Sequence, residues 1–218
     1  MINDRQLACI KNIIFDLDGT LIDSSEGVIE ATNYALTSLG QKPRLPEEIK
    51  RFIGYPLDIM FPSFCDAPIA ELKAAFQRNA RESMIASSVP LPGVNKVLPL
   101  FPAKGLTMAI ATTKFSIHTT GIVEKLGWGK YFAALVSGDE VKRVKPAPDI
   151  VELALARLEG NTADSIMIGD TVNDIKAAHA AGIKAIAIRS PFGNDDFGAS
   201  EPDFILERFS DLKQLFGL

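Results

Sequence analysis

The sequence predicts a doubly wound α/β fold, a parallel sheet with helices on both faces, interrupted by a helical insertion after its first strand. Three observations predict it. From residue 93 onward, apolar runs of strand length alternate with segments of helical periodicity, and such alternation forces parallel pairing through helical crossovers. Between residues 23 and 92 the alternation stops and no convincing strand is found. Two apolar runs far apart in the chain each end in paired carboxylates, and strand ends of an open α/β sheet face one crevice.

The first strand is the run Ile13-Ile14-Phe15, followed directly by Asp16-Leu17-Asp18-Gly19-Thr20. Period-two alternation puts Asp16 and Asp18 on one side if the strand continues. Two anions that close repel, and a divalent cation or a shared proton holds them together. An Asp-Gly turn after a strand is common, so this pair alone does not define a site. A second cluster changes the balance. The run Ile166-Met167-Ile168 ends in Gly169-Asp170, and Asp174 follows. A helix over 174–182 is expected from Ile175, Ala177, Ala178 and Ala181 with a Gly stop at 182. With Asp170 at the N-cap, Asp174 lies one turn on and faces the same way.

The remaining strands are expected at 106–111, 133–136, 185–188 and 203–206, with helices at 116–126 and 148–158. In the insertion, apolar positions 28, 29, 35, 36 and 39 mark an amphipathic helix over 26–39. Leu72, Ala75, Phe76, Ala80 and Met84 mark another over 70–85, and Val89-Pro90-Leu91-Pro92-Gly93 closes the stretch. The expected organisation is therefore a core of residues 1–22 and 93–218 and an α-helical cap of residues 23–92. An insertion at the C-terminal edge of a strand sits over the crevice, where a lid would sit.

Two further polar positions fall at predicted strand ends. Thr112-Thr113-Lys114 follows the 106–111 run, and a hydroxyl with free backbone N–H groups suits a phosphate. Lys145 precedes Pro146-Ala147-Pro148-Asp149, in a position to reach the carboxylates and offset their charge. The segment 50–57 joins two cap helices. Gly54 and Pro56 make a turn there, and Arg51 and Tyr55 are its candidates for contact with a leaving group.

These residues carry a resemblance. The chain resembles the haloacid dehalogenase-like hydrolase superfamily, in particular its phosphoglycolate phosphatase-like members with an α-helical cap. The matching motifs, in order, are Asp16-Leu17-Asp18-Gly19-Thr20, Thr112 after an apolar strand, Lys145 in Lys-Pro-x-Pro-Asp, and Gly169-Asp170 followed by Asp174. One position departs: relatives often place Asn after the threonine, where this chain has Thr113, a candidate substrate contact through a shorter hydroxyl that lacks the amide. The resemblance implies a Mg²⁺-dependent phosphatase acting on a small phosphorylated metabolite through an aspartyl phosphate on Asp16. Asp18 would be the general acid and base. Mg²⁺ would be held by Asp16, the Asp18 carbonyl and Asp170, with Asp174 binding through water or orienting its neighbours. Thr112, Lys145 and the N–H groups of Leu17 and Gly19 would cradle the phosphoryl oxygens. Alternatives sharing these motifs are a β-phosphoglucomutase-type mutase, a phosphonatase using a cap lysine (Lys42, Lys50 or Lys73), and a non-catalytic phosphate sensor.

Composition agrees and excludes other classes. The 218 residues are 47% apolar with a net charge of −4, enough for a sizeable core. No Lys/Arg run exceeds two residues, so no nucleic-acid footprint is expected. No apolar stretch is long enough for a membrane helix. Cys9 and Cys65 form no disulfide framework or metal spacing, and core packing in a reducing cytoplasm is the expectation for both. A monomer or homodimer is expected.

Overall fold

Side chains alternate across a strand, so each apolar run of this sheet divides between two helical layers. In the computed structural model, residues 7, 9–190, 192 and 197–218 are described. The strands are β1 Asn12–Phe15, β2 Ile22–Asp23, β3 Val89–Pro90, β4 Thr107–Ala111, β5 Ala134–Val136, β6 Ser165–Gly169, β7 Lys184–Ile188 and β8 Phe204–Leu206. The helices are α1 Ser25–Ser38, α2 Pro46–Lys50, α3 Leu57–Met60, α4 Ile69–Ser87, α5 Val94–Val97, α6 Leu100–Ala103, α7 Ser116–Lys125, α8 Asp149–Arg157, α9 Val172–Ala180 and α10 Leu212–Phe216.

The main sheet runs β5-β4-β1-β6-β7-β8, with every neighbouring pair parallel. One face carries Ile13, Phe15, Met108, Ile110, Ile166, Ile168 and Ile186 against Phe101, Ile122, Trp128 and Phe216. The opposite face carries Ile14, Ala109, Ala111, Met167, Ala185 and Ala187 against Ile150, Ala154, Ile175 and Ala178. Small residues on that second face let α8 and α9 lie close to the sheet.

The chain leaves β1 for β4 on one side, then returns to β6 on the other, so the topological switch falls beside β1. Register places Phe15 beside Ile110 and Ile168, so Asp16 emerges level with Ala111 and Gly169. Phe15 is fully buried and packs edge-on against Phe101 at 5.5 Å, with Phe132 and Phe209 around it. That packing fixes the strand end from which Asp16 projects.

The segment 23–92 builds a third apolar cluster from Ala31, Leu36, Ile49, Phe61, Leu72, Phe76 and Met84. Both of its connections to the sheet are tied together, because β2 and β3 pair antiparallel, Ile22 with Pro90 and Asp23 with Val89. This corrects the expectation that no strand occurs near the insertion's ends; a two-residue ladder is too short to leave an alternating signature. Cys9 is exposed and Cys65 half-buried, so the expectation of core packing fails for the first and holds only in part for the second. Cys65 packs on the helical cluster, while Cys9 precedes the first strand and has no layer to enter. Among the described residues no helix is long and apolar enough to cross a membrane.

Helix α1 packs against α4 through Gly27. A Cβ there would lie 2.8 Å from Met84 Cα and 2.6 Å from Ser87 Oγ. Alanine is the better helix former by about 1 kcal/mol. Contact with a backbone atom at that distance decides the sign the other way, since overpacking costs about 1–3 kcal/mol. Gly27→Ala should therefore lower the urea midpoint of the intact protein, and a raised midpoint would show that the two helices can separate freely.

Candidate active site

The carboxylates meet where β1, β4 and β6 end. The Asp16 N–H donates to Ile168 O (2.9 Å), which holds the residue in line with β6. The chain then turns tightly: Leu17 O accepts from Leu21 N and Ile22 N at 2.9 and 3.0 Å. Gly19, at φ 81°, makes that turn. A Cβ on Gly19 would sit 2.1 Å from Asp170 Oδ2, so its absence also lets the two loops close together. Thr20 Oγ1 donates to Asp170 Oδ1 (3.1 Å).

Lys145 joins these groups. Its ammonium donates to Asp16 Oδ1 at 2.5 Å, Asp174 Oδ1 at 2.6 Å and Ala111 O at 3.1 Å, which uses all three N–H bonds. Asp174 is occupied on its other oxygen too, accepting from the Thr171 N–H (2.9 Å) and hydroxyl (2.7 Å). Asp170 Oδ2 is buried with no hydrogen-bond partner among the described residues. Asp16, Asp170, Asp174 and Lys145 are all at most 2% exposed.

Burial pushes the Asp16 carboxyl up to about 7; Lys145 opposes this, and the Asp174 and Asp18 charges add to it. Burial likewise raises Asp170 well above the carboxylate range, helped by Asp174 and Asp16, against hydrogen bonds from Ser190 and Thr20. Burial works to lower the Lys145 ammonium, but the Asp16 and Asp174 charges outweigh it and hold Lys145 above the ordinary lysine value.

The donor set fits a hard divalent cation. Asp16, Asp170 and Asp174 each bring a carboxylate oxygen within 4.8 Å of the others. When all three carboxyls are ionised, one ammonium leaves two negative charges unmatched, and among the described residues Asp170 Oδ2 has no other partner. All-oxygen ligands of this kind suit Mg²⁺.

Asp18 belongs to a second charge pair on the other side of the turn. Its Oδ1 accepts from the Ser24 hydroxyl and lies 3.2 Å from Lys114 Nζ, both of them buried groups. His118 lies beside this pair. Burial lowers its imidazole to about 4, Lys114 adds to the shift, and Asp18 and Asp139 oppose it.

The structure thus brings Asp16, Asp18, Asp170, Asp174 and Lys145 to one crevice. Thr112 is buried at the end of β4, and its Oγ1 accepts from Lys114 N at 3.2 Å. No acceptor for the Leu17 N–H is found among the described residues. The Gly19 N–H, expected to face a phosphoryl oxygen, instead donates to Ile22 O (2.9 Å), because the turn after β1 closes on itself. Asp170 is not the N-cap of α9; Thr171 is, since Asp174 reaches back to Thr171. Thr113 Oγ1 faces Gly54 O of the insertion at 3.4 Å. Tyr55 lines the cavity beneath the insertion, whereas Arg51 is exposed and absent from its wall. Arg51 follows α2, whose buried residue is Ile49, and two helical steps carry its side chain to the opposite side.

Lys114, Ser24, Thr20 and His118 were not identified from sequence as site residues. Lys114 ends a Thr-Thr-Lys run in which a solvated lysine reads the same, and Ser24 looks like a helix start. Only contacts more than a hundred residues apart in the chain give Thr20 its role. His118 carried a weak signal, as one of two histidines in the chain, on a helix that begins at the crevice.

The family model for haloacid dehalogenase-like hydrolase matches residues 13–188. The protein named "Probable phosphatase IndB" of Dickeya dadantii is 32% identical over 208 residues, which cover 92% of this chain and 90% of that one. A phosphoglycolate phosphatase of Agrobacterium fabrum is 30% identical, covering 91% and 89%. Among solved structures, a haloacid dehalogenase-like family hydrolase of Streptococcus pneumoniae superposes with a TM-score of 0.87 at 26% identity, covering 96% and 99%.

A depressed His118 has a definite signature in stability. Unfolded histidine takes a proton near 6.5 and the folded residue near 4, so the unfolded state binds more protons between these values. That contribution to stability rises with pH across the window and is lost as pH falls through it. Asp16, with its raised value, works in the opposite direction, so the quantity to compare is wild type minus His118→Asn. That difference should grow from pH 4 to 6.5 and stay flat above. A His118 ring proton titrating near 6.5 by NMR would contradict the burial argument.

Proposed function

The chain belongs to the haloacid dehalogenase-like hydrolase family, and on that premise we propose that it is a Mg²⁺-dependent phosphatase of small organic phosphomonoesters, working through an aspartyl phosphate. One observation carries the reading. Two aspartates two residues apart sit in separate charge environments, Asp16 on Lys145 and Asp18 on Lys114. Separate environments allow the two carboxyls separate roles, and in this reading Asp16 is the nucleophile and Asp18 the proton carrier.

In this reading an Asp16 carboxylate oxygen attacks phosphorus, and the bond from phosphorus to the leaving oxygen breaks. Asp18 gives its proton to that oxygen as the alcohol departs. Ser24 and Lys114 both engage Asp18 Oδ1, which leaves Oδ2 for the transfer. Asp18 then takes a proton from water, the water oxygen bonds to phosphorus, and the bond to Asp16 breaks to release phosphate. The Thr112 hydroxyl and Leu17 N–H donate to the phosphoryl oxygens. Lys145 aims Asp16 and offsets the charge transferred to it, and positioning with charge neutralisation is most of what phosphoryl transfer requires. Asp16 and Asp170 would hold the cation, with Asp174 orienting Lys145 beside it; the bound cation supplies charge stabilisation to the phosphoryl group. Residues 23–92 serve as a cap that shelters the aspartyl phosphate from bulk water, with the β2–β3 ladder as its base.

Asp16→Asn should reduce kcat for p-nitrophenyl phosphate by about 10³-fold or more, as loss of a nucleophile does. Its thermal midpoint should not fall, because the amide oxygen still accepts from Lys145 and one buried anion is gone. A variant retaining a tenth of wild-type kcat would remove Asp16 from the nucleophile's role. Activity should disappear on dialysis against EDTA and return with Mg²⁺ but not Ca²⁺, which tolerates bidentate carboxylates and would lock both Asp16 oxygens. Full activity after EDTA would end the metal assignment.

A further inference from the structure

Asp18 is the only one of the four clustered aspartates that lines the cavity between the segment 23–92 and the sheet. If Asp18 protonates the leaving oxygen, this cavity receives the leaving group; to that extent the inference rests on the reading above. The cavity measures about 190 Å³. Its walls are mostly apolar, with Phe52, Tyr55, Met60, Phe76, Met84 and Phe115 among the lining residues.

Its charged groups are already paired. Lys114 is held by Asp18 (3.2 Å) and Lys73 by Asp58 (2.9 Å). His118 is neutral above about pH 4. Arg51, the cation expected in this segment, is not on the wall. Among the described residues, the resting cavity therefore has no unpaired cation: a second anionic group would have to compete with Asp18 for Lys114, and an anion without a partner in an apolar cavity is strongly disfavoured. An apolar cavity of about 150 Å³ accommodates a benzene molecule.

We infer that the enzyme selects phosphomonoesters with an uncharged, apolar leaving group the size of one aromatic ring or a short alkyl chain. It discriminates against leaving groups that bear a carboxylate or a second phosphate, phosphoglycolate among them.

The test compares kcat/KM of the Mg²⁺-loaded wild-type enzyme on methyl, ethyl, propyl and butyl phosphate, benzyl phosphate and 2-phosphoglycolate. All are esters of primary alcohols or of methanol, so the intrinsic reactivity of the leaving oxygen varies little. Burial of each added methylene should raise kcat/KM about fourfold up to butyl. Benzyl phosphate should exceed phosphoglycolate by about tenfold or more, which is about 1.4 kcal/mol of discrimination. A flat alkyl series, or phosphoglycolate as the best substrate, overturns the inference and leaves the phosphatase reading standing. Absence of phosphate release from every ester, p-nitrophenyl phosphate included, overturns both.

A variant tests the cause. Leu57 is half-buried on the cavity wall. Leu57→Arg adds the missing cation and should raise kcat/KM for phosphoglycolate while lowering it for butyl phosphate. An unchanged ratio between the two would show that wall charge does not set selectivity. If this variant does not fold, the wild-type alkyl series alone decides.

Discussion

The ammonium of Lys145 is the contact on which the crevice depends. It is 1% exposed and touches β1 through Asp16, β4 through the Ala111 carbonyl and α9 through Asp174. A lysine that deeply buried stays charged because carboxylates face it, and those carboxylates tolerate each other only because the lysine lies between them. Neither half is stable without the other. The backbone is shaped to permit this: a Cβ on Gly169 would lie 2.4 Å from Asp174 Cβ, so only glycine at the end of β6 lets Asp174 swing back toward Lys145. The two charges unmatched when all three carboxyls ionise suit the site to a divalent cation, and the Asp170 oxygen with no partner among the described residues is where that charge is least met.

The helical segment is seated on the sheet by charge as well as by apolar contact. Lys125, at the end of α7, donates to the carbonyls of Ile85, Ala86 and Ser88 at 3.0, 2.5 and 3.0 Å. These carbonyls close the C-terminal end of α4, where a cation is favoured by the helix dipole and satisfies acceptors that have no helical donor. At the other side Thr113 meets Gly54. Between these points Asp18 is held by Ser24, which begins α1, and by Lys114, which follows β4. The environment of Asp18 is thus set jointly by the insertion and the sheet, while that of Asp16 is set by the sheet and its flanking segments alone. Displacement of the insertion changes the first and spares the second.

The sheet was legible in the sequence because its strands are buried on both faces and read as short continuous apolar runs. The carboxylates were legible because charged residues at the ends of such runs have no packing purpose. Lys145 was legible only through its neighbouring prolines and the resemblance they completed. Pairwise contacts between distant segments were not legible. Lys114 and Ser24 are separated by ninety residues and meet only once β1 and β4 are side by side. Arg51 misled because a turn between helices suggests a facing cation, while the direction of a side chain depends on which residue of a short helix is buried. The N–H of Gly19 misled for a related reason: glycine in a turn serves either to free a donor or to permit close approach, and here the approach of Asp170 is what requires it.

Asp18 divides the crevice into two media. On the Asp16 side lie the fixed charges, which suit the phosphoryl group of the proposed substrate. On the other side the lysines of the resting protein each face a carboxylate, and aromatic and thioether side chains stand among the walls. In the proposed mechanism a leaving group that fills this space removes water from beside Asp18, and once Asp18 has given up its proton its attraction to Lys114 is stronger for the lower local dielectric. A small polar leaving group would leave that space wet and the pair screened. In that mechanism shape and charge on the distal side act on Asp18 as well as on binding. On that reading the composition of the helical insertion is linked to the chemistry of the sheet: the residues that would contact the leaving group also set the medium in which its oxygen would receive a proton.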